Sequence, residues 1–427
     1  MNANRLFIIP IYFILFTLPL AALDVSSVKQ GAPVKHGRTW EQRSEFTVPV
    51  KEGARLLLRA DGGAVTVDPS TGDKVTCVVT LRAYTSNAAE ARALFDKFQM
   101  NVRSVEAGGV YLASQSPHSS RQGRGVNLQV QFQITVPQRY NLDVETRGGD
   151  ITVTAPLDGE ARLTTAGGDV HTSDVTGAVR IETAGGNISI GKMGADASAR
   201  TAGGTIRVGD AKGDVVLETS GGEIVTGVIT GALRAETAGG DLIVGGASGQ
   251  LVARTAGGQI QIGPTDGSVR VETAAGSIRL KGSRGRVVAE TAGGSIDLLQ
   301  VEGAVRATTA DGHILAEINC TRKTCGPSQL ETSMGDVFVY LPVNITLTID
   351  AAIDGAVGHQ IQSDFPLDIQ GNKDELTSAT VRGRGTLNGG GEVLKIRTIA
   401  GNIEIRKIDE ASLRELEQRV DSKWKAR

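Results

Sequence analysis

Aromatic residues make up only 4% of the 427-residue chain. Phe, Tyr and Trp bury the largest areas in ordinary globular cores, so a core of that build is not expected. With 12 prolines and no glycine at every third position, a collagen helix is excluded. The net charge is -2, so no global field favours nucleic acid or an anionic membrane surface. Five histidines, His36, His118, His171, His313 and His359, are scattered without metal or nucleophile spacing. Cys320 and Cys325, two thiol ligands with no histidine beside them, do not make a zinc site. No cofactor and no metal are expected. Beyond the first 22 residues no run is apolar enough to span a bilayer. Even so, 40% hydrophobic and 22% charged residues are too apolar a mixture for a disordered chain. Against these scarcities stand 55 glycines, about 13% where ~7% is usual.

The N-terminus reads as an export signal over residues 1–22. A basic start at Arg5, an apolar run from Leu6 to Leu20 and the small exit Ala21-Ala22 fit that pattern. The competing reading is an uncleaved signal anchor, against which Pro10, Pro19 and the Ala-Ala exit argue. The protein is therefore expected outside the cytoplasm, in the periplasm, outer membrane or cell surface, and not membrane-spanning after cleavage. In that oxidising setting Cys320 and Cys325 are candidates for a disulfide around Thr321–Thr324. Cys77, inside Val75–Val79, reads as a packing residue.

The glycines fall in a repeat. Thr165, Thr183, Thr201, Thr219, Thr237, Thr255, Thr273, Thr291 and Thr309 each stand 18 residues apart and each opens a Thr-x-Gly-Gly-like turn. A fixed period in this range marks a repeat architecture. Each repeat holds two short alternating strands, each with one apolar face, separated by glycine turns. The glycines are expected there for positive φ and for close backbone approach. Adding 18 builds inward ladders, Ile188–Ile206–Ile224–Leu242–Ile260–Ile278–Ile296–Ile314 and Val179–Ala197–Val215–Leu233–Leu251–Val269–Val287–Val305. The fold class is all-β: a parallel β-solenoid with two main strands per 18-residue rung, an N-terminal strand/helix cap and a short C-terminal helix.

Three other 18-residue designs fail on particular positions. A hexapeptide helix needs an aliphatic where Ser248, Asp266 and Arg284 stand. A calcium β-roll needs an aspartate ladder, but the turn row reads Asp169, Asn187, Thr205, Glu223, Asp241, Gln259, Ser277. An ice-binding array needs outward threonines, and these have inward parity.

Outside the regular region, 138–317, the period breaks. Residues 23–137 read as a capping region. It holds strands at Leu56–Leu58, Lys74–Leu81 and Val126–Val136, and a polar loop over Ser114–Gly125. A helix is expected over Asn87–Met100, with Leu94, Phe95 and Phe98 inward and Asn87 with Glu90 as a capping pair. Ala60–Val67 resembles one isolated rung. Residues 318–408 read as irregular rungs with insertions. Over 409–427, Leu413, Leu416, Val420 and Trp424 mark one face of a helix.

Particular stretches add a resemblance. They are Val136-Pro137 through Val153, Leu341-Pro342-Val343-Asn344, Ser363-Asp364-Phe365-Pro366, Gly383-Arg384-Gly385, Gly389-Gly390-Gly391 and Arg397–Ile405. Their order is similar to that of the bacterial β-strand-repeat family of unknown function labelled "putative adhesin", over about residues 45–408. That resemblance implies the fold and defines no catalytic residues.

One outer row, Glu182, Arg200, Glu218, Glu236, Arg254, Glu272, Glu290, is near charge balance with its arginine neighbours and reads as a self-paired face. The opposite face mixes amides, hydroxyls, acids and aliphatics. Asn187, Ser189, Arg207, Asp241, Ile243, Gln259, Gln261, Arg279 and Asp297 are its candidate binding residues. The expected function is a non-enzymatic, exported, envelope-associated binding or scaffolding protein, with envelope proteins or glycans as partners and no nucleic acid. The alternatives are a polysaccharide-active β-helix enzyme and a periplasmic accessory or stress-sensing protein.

Overall fold

The computed structural model describes residues 27–105, 108–116, 128–320, 325–371 and 380–408. The expected signal peptide, the helix over 409–427 and residues 117–125 of the expected polar loop lie outside the described residues. The chain falls into two compact units, residues 1–208 and 209–427. Each is built almost wholly of strands in two sheets, parallel through the stacked rungs and antiparallel beside them. In every rung a leading strand precedes the Thr-x-Gly-Gly turn and a trailing strand follows it.

In the first unit the leading sheet stacks Asn141–Thr146, Ala161–Thr165, Val179–Thr183 and Ala197–Arg200, all parallel. Its trailing sheet stacks Ile151–Val153, Val170–Thr172, Ile188–Ile190 and Ile206–Val208. Alternation puts Leu163, Ile181 and Ala199 inward from one sheet and Ile151, Val170, Ile188 and Ile206 from the other, all essentially buried. A third contact per rung joins Leu157 to Val175 and Val175 to Met193 through single parallel bridges. The core is thus lined by small and aliphatic side chains, which is why so few aromatics suffice.

Ala60–Val67 is not an isolated rung. Arg55–Ala60 and Ala64–Ser70 pair directly with Asn141–Thr146 and Ile151–Val153. The excursion between them lies on the far side, through Gly109–Gln115 and Leu128–Pro137. There the pairing turns antiparallel: Lys74–Ala83 runs between Leu128–Pro137 and Thr39–Pro49. Two short strands, Ser27–Gln30 and Val34–His36, cover Thr39–Pro49. Pro33 between them shortens this edge, which limits strand addition. The helix spans Ala88–Lys97, shorter than expected, and buries Ala91 and Phe95, with Leu94 and Phe98 only half-buried. Asn87 caps it by accepting from the Ala89 N–H, but Glu90 accepts from the Thr85 hydroxyl instead of closing a box. Burial pushes the Cys77 thiol up to about 12.

In the second unit the leading sheet runs in parallel register from Val215–Glu218 to Ser328–Met334. The trailing sheet does so from Ile224–Ile229 to Val337–Leu341. The next rung in space is the last in the described sequence. Val393–Ala400 and Ile403–Lys407 pair with Ser328–Met334 and Val337–Leu341 on one side. On the other side they pair with Leu347–Ile353 and Ile361–Ser363. The antiparallel strands Val381–Leu387 and Asp368–Gln370 finish this end. Cys320 and Cys325 form a disulfide with Cα atoms 4.9 Å apart.

The Thr-x-Gly-Gly turn is a hydrogen-bonded staple between rungs. Thr237 Oγ1 donates to the Gly222 carbonyl of the preceding rung at 2.9 Å and accepts from the Gly240 N–H of its own at 3.3 Å. Thr183, Thr201, Thr255 and Thr273 repeat both bonds. The threonines are buried, so each hydroxyl satisfies two backbone groups that water does not reach. The two glycines differ in kind. A Cβ on Gly240 would lie 2.0 Å from the Gly222 carbonyl oxygen, whereas one on Gly239 would meet nothing closer than 3.5 Å. From Gly168 to Gly294 the second glycines do not have positive φ and close approach alone demands them, which corrects half of the expectation there, whereas Gly149 and Gly312 combine positive φ with close approach.

Candidate binding face

The outward positions of the leading sheet pair among themselves. In the second unit Arg254 bridges Glu236 at 3.3 Å and Glu272 at 2.9 Å, while Arg234 and Arg270 reinforce the same two carboxylates. In the first unit Arg180 holds Glu182 at 2.6 Å. The Glu272 hydrogen bond holds the Arg254 guanidinium above its usual range. Partial burial pushes the Glu272 carboxyl up, and Arg254 and Arg270 overcome it, leaving the group below its usual value. These charges neutralise one another and leave little field for a ligand.

The outward positions of the trailing sheet carry the candidate residues. Asn187, Ser189 and Arg207 lie in the first unit. Ser189 stands opposite Arg207 on neighbouring strands, and Arg207 donates to the Thr205 hydroxyl at 2.9 Å. Asn187 is occupied by the fold: its Oδ1 accepts the Thr205 N–H at 2.9 Å, and its own N–H binds Asp169 Oδ1 at 2.7 Å. In the second unit Asp241 does the same, accepting the Gln259 N–H at 2.8 Å. The row Asp169, Asn187, Asp241 therefore staples rungs. Other turns do likewise: Asp174 accepts from Lys192 and Asp210 from Val228 at the turn after the trailing strand, and Asp214 accepts from Ala232 at the turn before the leading one. The sequence carries a signal for this: a carboxylate or amide stands 18 residues before the strand-opening N–H that it accepts.

What remains outward in the second unit is one column across consecutive strands, Ile243, Gln261, Arg279 and Asp297. Its end is a polar cluster that the sequence did not reveal. Arg279 Nε lies 3.4 Å from Asp297, and His313 Nε2 lies 3.2 Å from the other Asp297 oxygen. Ser295 Oγ is 2.9 Å from His313 Nδ1. Because the Asp297 carboxylate only accepts, His313 donates to it from Nε2, and in that tautomer Nδ1 accepts a hydrogen bond from the Ser295 hydroxyl. Asp297 is almost fully buried, with side-chain exposure of 7%. The cluster borders an apolar patch in which Phe338 and Tyr340 pack on Leu299 and Leu315. Among the described residues no group of three metal-ligating side chains occurs.

The Toastrack DUF4097 family matches this sequence at residues 55–281 and again at 230–406, the span of the stacked rungs. The chain belongs to the Toastrack DUF4097 family. Solved structures similar to this Toastrack chain include three. The "putative adhesin" of Bacteroides fragilis is 18% identical, covering 57% of this chain and 95% of that one, with a TM-score of 0.28. A "putative adhesin" of Parabacteroides distasonis is 11% identical over 86% and 97%, with a TM-score of 0.24. A "putative cell adhesion protein" of Clostridium sporogenes is 10% identical over 86% and 100%, with a TM-score of 0.15. Superpositions this loose say nothing of a site. No curated protein matches this chain. No helix among the described residues is long and apolar enough to cross a membrane.

Proposed function

We propose that this Toastrack protein is a non-enzymatic, exported, envelope-associated binding or scaffolding protein that uses the trailing-sheet face. The observation that carries the reading is the contrast between the two outer faces. The leading-sheet face is consumed by its own ion pairs, while the trailing-sheet face offers an aliphatic and an amide at Ile243 and Gln261 on successive strands, with Arg279 beyond them tied to Asp297. At ~4.8 Å per rung, such a surface makes many weak contacts, and affinity then comes from multivalency. Envelope proteins or glycans are the partners this surface suits. Crosslinking with mass spectrometry in intact cells tests it. Envelope partners crosslinked to this face, and lost in an Ile243→Asp/Gln261→Glu variant of unchanged stability, support the reading. Recovery with cytoplasmic proteins alone overturns it.

The Ser295–His313–Asp297 chain of contacts favours a second reading, a polysaccharide-active enzyme. Arg279 argues against it, because it shares the carboxylate that would stabilise an imidazolium. Turnover of cell-wall glycans by purified protein, abolished by Ser295→Ala, decides for this reading; no turnover decides against it.

A further inference from the structure

We propose that the apolar patch on the trailing-sheet face is the docking site of the chain's own residues 409–427. From residue 161 to residue 290, outward strand positions are half-buried or exposed. In the next two trailing strands they are as buried as the core. Leu299 and Leu315 are 5% and 8% exposed, and the outward carboxylates Asp297 and Glu317 are 5% and 2% exposed. Phe338 and Tyr340, half-buried, rim the two leucines on the following strand. Outward leucines and aromatics on three consecutive rungs, where other rungs carry arginine, glutamine or isoleucine, make a surface shaped for an apolar partner.

The place where the described chain leaves the sheet identifies that partner. Ile403–Lys407 pairs with Val337–Leu341, placing Arg406 opposite Tyr340. The Ile408 N–H then bonds to the Leu341 carbonyl at 2.9 Å. The described chain therefore ends, at Ile408, one strand away from the patch. The segment that follows carries Leu413, Leu416, Val420 and Trp424 at helical spacing. As a helix, at ~1.5 Å per residue, it reaches roughly 25–30 Å. The three patch strands span only about 10 Å at ~4.8 Å per strand. Tethering at Ile408 supplies a high effective concentration, so even a modest apolar contact is populated in preference to an untethered partner.

The test uses full-length protein with Trp40→Phe, which leaves Trp424 as the sole tryptophan. Docking predicts blue-shifted Trp424 emission that is protected from acrylamide and independent of protein concentration. Tyr340→Asp, at a half-buried position on the rim of the patch, should shift the emission to the red and raise quenching severalfold. Leu315→Asp should do the same. Trp424 emission already at the solvent-exposed position, or indifferent to both substitutions, overturns the proposal. So does protection that appears only as a dimer forms, which would make a second copy the occupant. None of these readouts depends on Ile243 or Gln261, so failure here leaves the binding reading standing.

Discussion

The turn edge and the outer strand faces of the same rungs obey different rules. At the turn, Thr-x-Gly-Gly hardly varies, because the Thr hydroxyl bridges two backbone groups and the second glycine touches the backbone of the rung before it. On the faces, positions one rung apart hold Ile243, Gln261, Arg279 and Asp297 with no common chemistry. A repeat of this kind is therefore a backbone requirement. Ligand chemistry has to be sought where the pattern is loosest.

The sharpest break of that contrast is Gly240→Ala. Its Cβ would need the space held by the Gly222 carbonyl oxygen, so the backbones must separate, at a cost of about 3 kcal/mol or more. A urea midpoint within error of wild type would refute this steric account. Next comes Thr237→Val, similar in shape but without the hydroxyl. It leaves the Gly222 carbonyl and the Gly240 N–H without their bridge, for about 1–3 kcal/mol by the same measurement.

The outer face should respond less and through pH. Burial raises Glu272 and Asp350, but Arg254 and Arg270 beside the first, and Arg397 and Arg384 beside the second, outweigh it and hold both carboxyls below their usual values in the folded state. Their contribution is present above the unfolded carboxylate values and is lost as pH falls through the folded ones. Glu272→Gln should flatten the acid limb of stability against pH, a loss under about 1 kcal/mol at neutral pH because the pair is partly exposed. An unchanged acid limb would show the network to be inert. Smallest is Gly239→Ala, one residue from the most damaging change. Nothing crowds it, and Ala275 already fills the same place in another rung. It should be neutral or stabilise by up to about 1 kcal/mol through the unfolded chain. A large loss there would mean that the first glycine also serves the backbone.

The period, the two strands per rung and the inward parity of the threonines were legible because each is a local pattern repeated many times. The role of the hydroxyl was not, since its partner lies 15 residues back on another rung. Asn187 and Asp241 were read as ligand-facing for the same reason: their partners are backbone N–H groups 18 residues on. The Ser295, His313 and Asp297 contacts were hidden by the same fold, which brings residues 16 and 18 apart to hydrogen-bonding distance. The order of the final rungs was equally hidden. Residues 342–392 look like further irregular repeats, and only pairing shows that 393–407 comes before them in space.

That intercalated rung has a consequence for biogenesis. During vectorial synthesis, each rung of the second unit from Leu233–Glu236 to Val337–Leu341 stacks on a neighbour already made. Leu347–Ile353 and Ile361–Ser363, by contrast, must wait for a strand pair that emerges some forty residues later. A chain interrupted before residue 393 is left with Ser328–Leu341 as an unsealed template for strand addition. Residues 393–407 close that end, so the stack is sealed only after the insertion that precedes them has been made.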